Sequence, residues 1–343
     1  QIVSSIYSLG TQTTTIYNNT IANITNSTTR NSATNGIYGI YYGGTSLSSI
    51  YRNYIYNLGF QGTATNSSIM TGIDLAVGIV NCYNNIIFIG NNVTSPLSIR
   101  GISCESTSST NYVYHNTIYI NGTASGTTGN TYCFYKSSSS TINIRNNIFM
   151  NARSGGSTGY HYVVGLANNT GVTLNYNDLY VSGASRAMLA ILNVTNYSTI
   201  GDWRTATGQE ANSKNVDPRF LITGGSDPEN YRLRKNIAGT NVSISDDFNR
   251  SGIRSATAPS MGAWERRNNY WRGTTNTDWG TASNWTDNQV PYNYEDVEFA
   301  TVSNYGSVAI NNLILDTDRI VGTLKNYSAV SLIIPSVAGG VSL

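Results

Sequence analysis

Val113-Tyr114-His115-Asn116-Thr117-Ile118 has near copies on both sides. Ile16-Tyr17-Asn18-Asn19-Thr20-Ile21, Ile50-Tyr51-Arg52-Asn53-Tyr54-Ile55 and Cys82-Tyr83-Asn84-Asn85-Ile86-Ile87 precede it; the weaker Asn143-Ile144-Arg145-Asn146-Asn147-Ile148 and Leu174-Asn175-Tyr176-Asn177-Asp178-Leu179 follow. Aligned on one asparagine they give Asn19, Asn53, Asn85, Asn116, Asn146 and Asn177, spaced 34, 32, 31, 30 and 31 residues apart. Such a period marks a stacked repeat, in which no single unit can bury its apolar face alone. Two residues on, Ile21, Ile55, Ile87, Ile118, Ile148 and Leu179 form an aliphatic column that belongs inside the stack.

The apolar runs are short, rich in β-branched and aromatic residues, and broken by Gly and Asn, which excludes a helical solenoid. Second short strands recur as Gly36-Ile37-Tyr38-Gly39-Ile40, Gly72-Ile73-Asp74-Leu75 and Gly101-Ile102-Ser103-Cys104. The expected fold is therefore all-β, a parallel β-helix (β-solenoid) whose coils hydrogen-bond to their neighbours at roughly 4.8 Å. Asparagine suits the repeated bend because it tolerates the left-handed backbone, and its stacked amides can bond along the axis as a ladder. Asn19, Asn53, Asn85, Asn116, Asn146 and Asn177 are the predicted ladder.

Charged residues make up 11% of the 343, and the formal net charge is +2. No broad field is available to attract a phosphate backbone or anionic lipid, so nucleic acid and membrane surfaces are poor partners. No apolar run approaches the roughly 18 residues that span a bilayer. The chain opens on Gln1 and closes on Val337-Ala338-Gly339-Gly340-Val341-Ser342-Leu343, and is expected to be a segment of a longer polypeptide, the remainder of which is its first partner. Cys82, Cys104 and Cys133 are too few for a disulfide framework and read as small core residues. Whether Cys104 and Cys133 bond across adjacent coils is left open.

The coils resemble those of pectate-lyase-like right-handed parallel β-helices, which carry the same Asn-Asn-Thr-Ile phrase. Further phrases sharpen the resemblance: Val216-Asp217-Pro218-Arg219-Phe220, Tyr231-Arg232-Leu233 and Met261-Gly262-Ala263-Trp264-Glu265 look like the terminal section of such repeats in secreted Bacteroidota proteins. Trp271-Arg272-Gly273, Asp278-Trp279, Ala282-Ser283-Asn284-Trp285 and Val290-Pro291 resemble a β-rich module of large surface proteins exported by type IX secretion. The resemblance implies an extracellular or cell-surface location and contact with that export machinery. Expected divisions are coils over 1–181, a terminal coil and cap with a short helix over 182–267, and the start of a further module over 268–343. All five Trp and five of six Pro lie beyond residue 200, which agrees. Ser198 or Thr199 is the expected helix cap.

Residues 1–181 hold only Asp74, Glu105 and Asp178 as acids, in different coils and at different repeat positions, so a convergent catalytic pair is not expected. His115 falls in the variable column Asn18, Arg52, Asn84, His115, Arg145, Tyr176, read as solvent-facing; neither it nor His161 has metal-ligand spacing. Asp217, Asp227, Asp246, Asp247 and Glu265, and then Asp287, Glu295, Asp296 and Glu298, read as turns and caps, a structural Ca²⁺ being the alternative. Three residues past the repeat asparagine stand Tyr56, Phe88, Tyr119, Phe149 and Tyr180, broken only by Ala22. Strand alternation places this stripe outside, where it would stack on sugar rings or receive another protein, or simply stack on itself. A second column, Tyr17, Tyr51, Tyr83 and Tyr114, has no assignable facing. The expected function is a non-catalytic stalk or adhesin, with a polysaccharide lyase or hydrolase and a self-assembling filament subunit as rivals.

Overall fold

The computed structural model describes residues 2–27, 35–61, 67–106, 110–127, 129–137, 139–249, 253–266, 270–286, 288–291, 293, 295, 297–299, 313–315, 317–321 and 323–326. Asp287, Asp296, the Glu298 side chain and the closing residues 337–343 lie outside them. Each coil lays down three strands in turn, and like strands of successive coils pair in parallel. Sheet A contains Ile2–Ser8, Gly36–Tyr42, Ile69–Leu75, Ser98–Cys104, Thr131–Lys136, His161–Leu166 and Ala187–Leu192, followed by the antiparallel Thr195–Tyr197. Sheet B contains Thr15–Tyr17, Ser48–Tyr51, Val80–Tyr83, Thr110–Tyr114, Thr141–Arg145 and Val172–Asn175; sheet C contains Thr20–Ala22, Tyr54–Tyr56, Ile86–Ile89, Thr117–Ile120, Ile148–Asn151 and Asp178–Val181. The chain is a β-solenoid of about 5 turns, and its one described α-helix is too short to cross a membrane.

Sheets B and C meet at a two-residue corner. Its first residue is left-handed: Asn18, Arg52, Asn84, His115, Asn146 and Tyr176 have φ between 54° and 58°. Its second is the ladder asparagine. The Oδ1 of Asn53 accepts from both the backbone N–H and the side-chain amide of Asn19, and Asn85, Asn116, Asn147 and Asn177 repeat the pattern on the coil before at 2.9–3.1 Å. Each amide also donates to a sheet B carbonyl of the preceding coil, as Asn116 does to Cys82. Asn147, not the expected Asn146, occupies the fifth rung; with two adjacent asparagines in that repeat, the sequence did not distinguish the left-handed residue from the ladder residue. The same shift moves the interior column, which runs Ile21, Ile55, Ile87, Ile118, Phe149 and Leu179. Ile148 instead pairs with Thr117 on the other face.

Sheet A presses directly on this column. A Cβ on Gly39, Gly72 or Gly101 would stand 2.9, 2.7 or 2.4 Å from Cγ2 of Ile55, Ile87 or Ile118, so three successive coils require glycine there for lack of space. The cysteines are free and buried, Cys104 lying opposite Lys136 of the next coil. Lys136 stays buried in a nearly apolar column by reaching the Thr170 carbonyl at 3.1 Å, and burial lowers its pKa.

The stack is closed by the helix Ile200–Thr207. Thr199 caps it, accepting from Asp202 N–H at 3.1 Å, and Gly208 ends it in the left-handed conformation. Trp203 projects from it into the solenoid core, fully buried. Beyond it, Ser213 accepts from the Asn177 N–H at 2.9 Å and Glu210 receives the Asn177 amide, so a serine and a glutamate stand in for the missing seventh asparagine.

A strap over residues 237–265 belongs to the same compact unit as the coils, and it docks on the left-handed corner column. Arg52 forms an ion pair with Asp246 at 3.0 Å; Asn84 bonds Asp246 O and Arg254; His115 Nδ1 meets Ser260 O at 3.0 Å; Asn146 pairs with the Thr240 backbone. Within the column expected to face solvent, Arg52, Asn84 and His115 instead form a seam with Asn146, which takes the corner place expected of Arg145; Asn18 is exposed and His115 is fully buried. These four differ because each meets a different part of the strap. Asn146 donates to His115 Nε2, which assigns the Nδ1–H tautomer that donates to Ser260, and burial together with Arg254 holds the pKa well below the usual range.

The second compact unit is residues 219–223, 229–236 and 266–343. Its described core gathers Trp271, Trp279, Trp285, Val297, Phe299, Leu313 and Leu315. Trp285 Nε1 donates to Trp279 O at 2.8 Å, and Val297–Phe299 pairs in parallel with Leu324–Asn326.

Replacing Asn147 by Ala takes the acceptor from the buried Asn116 backbone N–H and the donor from the Val113 carbonyl, each loss worth about 1–3 kcal/mol. Urea unfolding should show a loss on the order of 3 kcal/mol; a change within about 0.5 kcal/mol, typical of a surface site, would remove the ladder from the stability argument.

Candidate functional site

The predicted aromatic stripe is not a continuous outer surface. Phe149 belongs to the interior column, and Met150 takes its place beside Tyr119. Phe88 and Tyr119 stack at 5.3 Å yet are only 2% and 4% exposed, which leaves Tyr56 and Tyr180 as the partly open members. Burial, reinforced by Asp217, pushes the Tyr119 hydroxyl up to about 12. The coil alone would expose this face; chain from beyond the coils covers it, Gly224 lying against Phe88.

The carboxylates of the closing section are held by protein groups. Asp246 pairs with Arg52, Glu265 pairs with Arg254 at 3.2 Å, and Asp247 accepts from the Glu265 N–H. Among the described residues no group of three or more His, Cys, Asp or Glu is placed to hold a metal ion. His161 bonds Thr131 and the Gly155 carbonyl, and burial takes its pKa down to about 4.

The structure does bring acids together where the sequence reading did not expect it, on the outer face of sheet A. Register aligns Tyr7, Tyr41, Asp74, Ser103 and Tyr135 in one column, and Ser4, Tyr38, Thr71, Arg100, Tyr132 and Tyr162 in the next. The aligned strand phrases hold this information, since Asp74 and Ser103 follow the repeated Gly-Ile pair in the same place; reading only the corner motif passes it over. Arg100 forms a 2.6 Å ion pair with Glu105, bonds Ser103 at 3.3 Å and lies 4.3 Å over the Tyr135 ring. Tyrosines flank this centre along the axis. Tyr7 and Tyr41 stack at 4.8 Å on one side, with Tyr38 edge-on to Tyr41; Tyr132 and Tyr162 stack at 5.3 Å on the other.

Asp74 sits between them, 3% exposed, and its Oδ1 has no hydrogen-bond partner; neither has Thr71 Oγ1 or Arg100 Nε. Burial first, then the Glu105 charge, push its pKa up to about 7 against the pull of Arg100. Asp74 thus keeps its proton to near neutrality beside the Arg100–Glu105 ion pair, a perturbed buried acid on an outer face. Unpaired hydroxyl, carboxyl and guanidinium atoms between aromatic faces also suit a hydroxylated ligand.

No family model matches the chain, and no solved structure matches it. It is 45% identical over 71 residues to Minor fimbrium subunit Mfa5 of Porphyromonas gingivalis, a match covering 19% of this chain. The matched stretch covers 6% of the length of that protein.

Because the folded pKa of Asp74 lies above the ordinary carboxyl value, its contribution to stability is complete below about pH 4 and is lost as pH rises towards 7. Asp74→Asn should remove that dependence. Parent minus variant unfolding free energy, measured from pH 4 to 8, is expected to fall by up to about 1.4 kcal/mol per pH unit until near pH 7. A flat difference would mean that the carboxyl titrates as an ordinary one.

Proposed function

We propose that the chain is a non-catalytic β-helical segment of an extracellular or cell-surface bacterial protein. In this reading it is a stalk whose tyrosine-lined sheet A face contacts glycan or a neighbouring surface protein. The observation that carries the reading is the unbroken parallel ladder with its buried asparagine corners, closed by Trp203. Such a rod gains length at roughly 4.8 Å per coil and resists opening, since each coil is bonded to both neighbours. The match to a fimbrium subunit supports a surface filament or scaffold setting, and self-assembly with like subunits belongs to the same reading. Low charge lets glycan or protein approach closely, and the resemblance carried by Trp271-Arg272-Gly273, Asp278-Trp279 and Ala282-Ser283-Asn284-Trp285 supports export by type IX secretion.

Glycan-array binding of the parent should exceed that of a Tyr41→Ala, Tyr135→Ala protein at least tenfold. Equal binding by the two would remove sheet A as the contact face. Electron microscopy of the purified chain distinguishes ordered fibres, expected of a self-assembling subunit, from short separate rods.

A second reading has one observation in its favour. Asp74 lies close enough to the Arg100–Glu105 pair for both charges to act on it, and two carboxyls with a basic group are what a polysaccharide lyase or hydrolase uses. The stalk reading expects no unsaturated or reducing sugars to be released from pectin, alginate or xylan. Release that disappears in both Asp74→Asn and Glu105→Gln would replace it with the enzyme.

A further inference from the structure

The tyrosine column outside sheet B is stacked for three coils and then breaks. Tyr17, Tyr51 and Tyr83 lie face to face with centroids 5.2 and 4.8 Å apart and ring planes within 15°. Tyr114 is next in register after Tyr83, but turns to Tyr112, 5.8 Å away at 56°. The faces of Tyr83 and Tyr114 that would have met are therefore not spent on each other. Across from them the strap brings Val242 and Ile244, and together these residues line a half-open cavity of about 370 Å³ with Asn81 and Ser49 in its wall. That is near the lower end of the roughly 300–1,000 Å³ found for small-molecule sites.

The lining chemistry narrows the occupant. Its lining contains no charged side chain; Arg52 is paired with Asp246 at 3.0 Å, and Arg145 stands beside Tyr114 in the next coil. The Asn81 amide, the Ser49 hydroxyl and the three tyrosine hydroxyls have no hydrogen-bond partner among the described residues. A purely apolar guest would leave those groups unpaired, at a cost. The wall also presents two aromatic faces, Tyr112 and Tyr114, set at 56° to each other. A sugar ring meets both demands, since one face offers C–H groups to an aromatic ring and its rim offers hydroxyls to amides and alcohols.

We propose that this cavity binds one pyranose unit of a neutral saccharide, its C–H face on the Tyr114 ring and its hydroxyls bonded by Asn81 and Ser49. The site is built by the strap and sheet B and does not depend on the role of sheet A. The strap completes it, because the coils alone would leave Tyr112 and Tyr114 as an open shelf.

Saturation-transfer NMR and titration of the full chain with methyl β-glucopyranoside, methyl β-galactopyranoside and methyl α-mannopyranoside test it. At least one glycoside should bind saturably. Val242→Trp, which fills the cavity, and Asn81→Ala, on the outer face of its strand, should each weaken that binding tenfold or more, while Val194→Ala, on an exposed turn away from both faces, leaves it unchanged. Absence of saturable binding by all three glycosides at tens of millimolar would overturn the proposal. So would parental affinity in folded Val242→Trp, or, should that protein fail to fold, parental affinity in Asn81→Ala.

Discussion

The structure depends on how one tight corner satisfies its buried backbone. At each passage from sheet B to sheet C the chain turns within two residues, too abruptly for the strand ladders to take up every N–H and C=O. The ladder asparagine supplies both missing partners: its Oδ1 accepts from the coil before, and its amide donates to a carbonyl of that coil. Each rung completes another coil's corner, so the ladder must begin and end somewhere. At its far end Ser213 and Glu210 take over, and Glu210 is buried enough to be pushed up to about 7. The cap thus ends a series of neutral amides with a carboxyl whose proton is held nearly to neutral pH.

The second constraint is steric. Sheet A approaches the isoleucine column so closely that Gly39, Gly72 and Gly101 have no room for a Cβ. Tyrosines line the outer faces of sheets A and B. On sheet A they flank Asp74, Arg100 and Glu105; on sheet B their stack breaks beside the strap.

The strap explains why the corner column does not repeat. A left-handed corner residue points away from the core, so its identity is free of the coil's own packing. Arg52, Asn84, His115 and Asn146 use that freedom to bond Asp246, Arg254, Ser260 and Thr240. Variation along this column records what it docks against, and a solvent-facing column would vary just as much.

The period of the asparagine phrase determined by itself that the coils form a β-solenoid and that Ile55, Ile87 and Ile118 share one interior column; the local sequence placed a helix after them with Ser198 or Thr199 at its head, and the structure chose Thr199. These are local or strictly periodic properties, written in each repeat by corner geometry and strand alternation. Only the tertiary structure decided between Asn146 and Asn147, because both fit the phrase and the choice depends on the rung above and below. Only it showed that Phe88 and Tyr119 are covered, that His115 is sealed under the strap, and that Asp74 stands beside Arg100 and Glu105. Those outcomes depend on segments more than a hundred residues away, or on which strand lies beside which, and the physical reason is the same in each case: burial and charge are set by what packs against a residue, which the alternation of a strand does not encode.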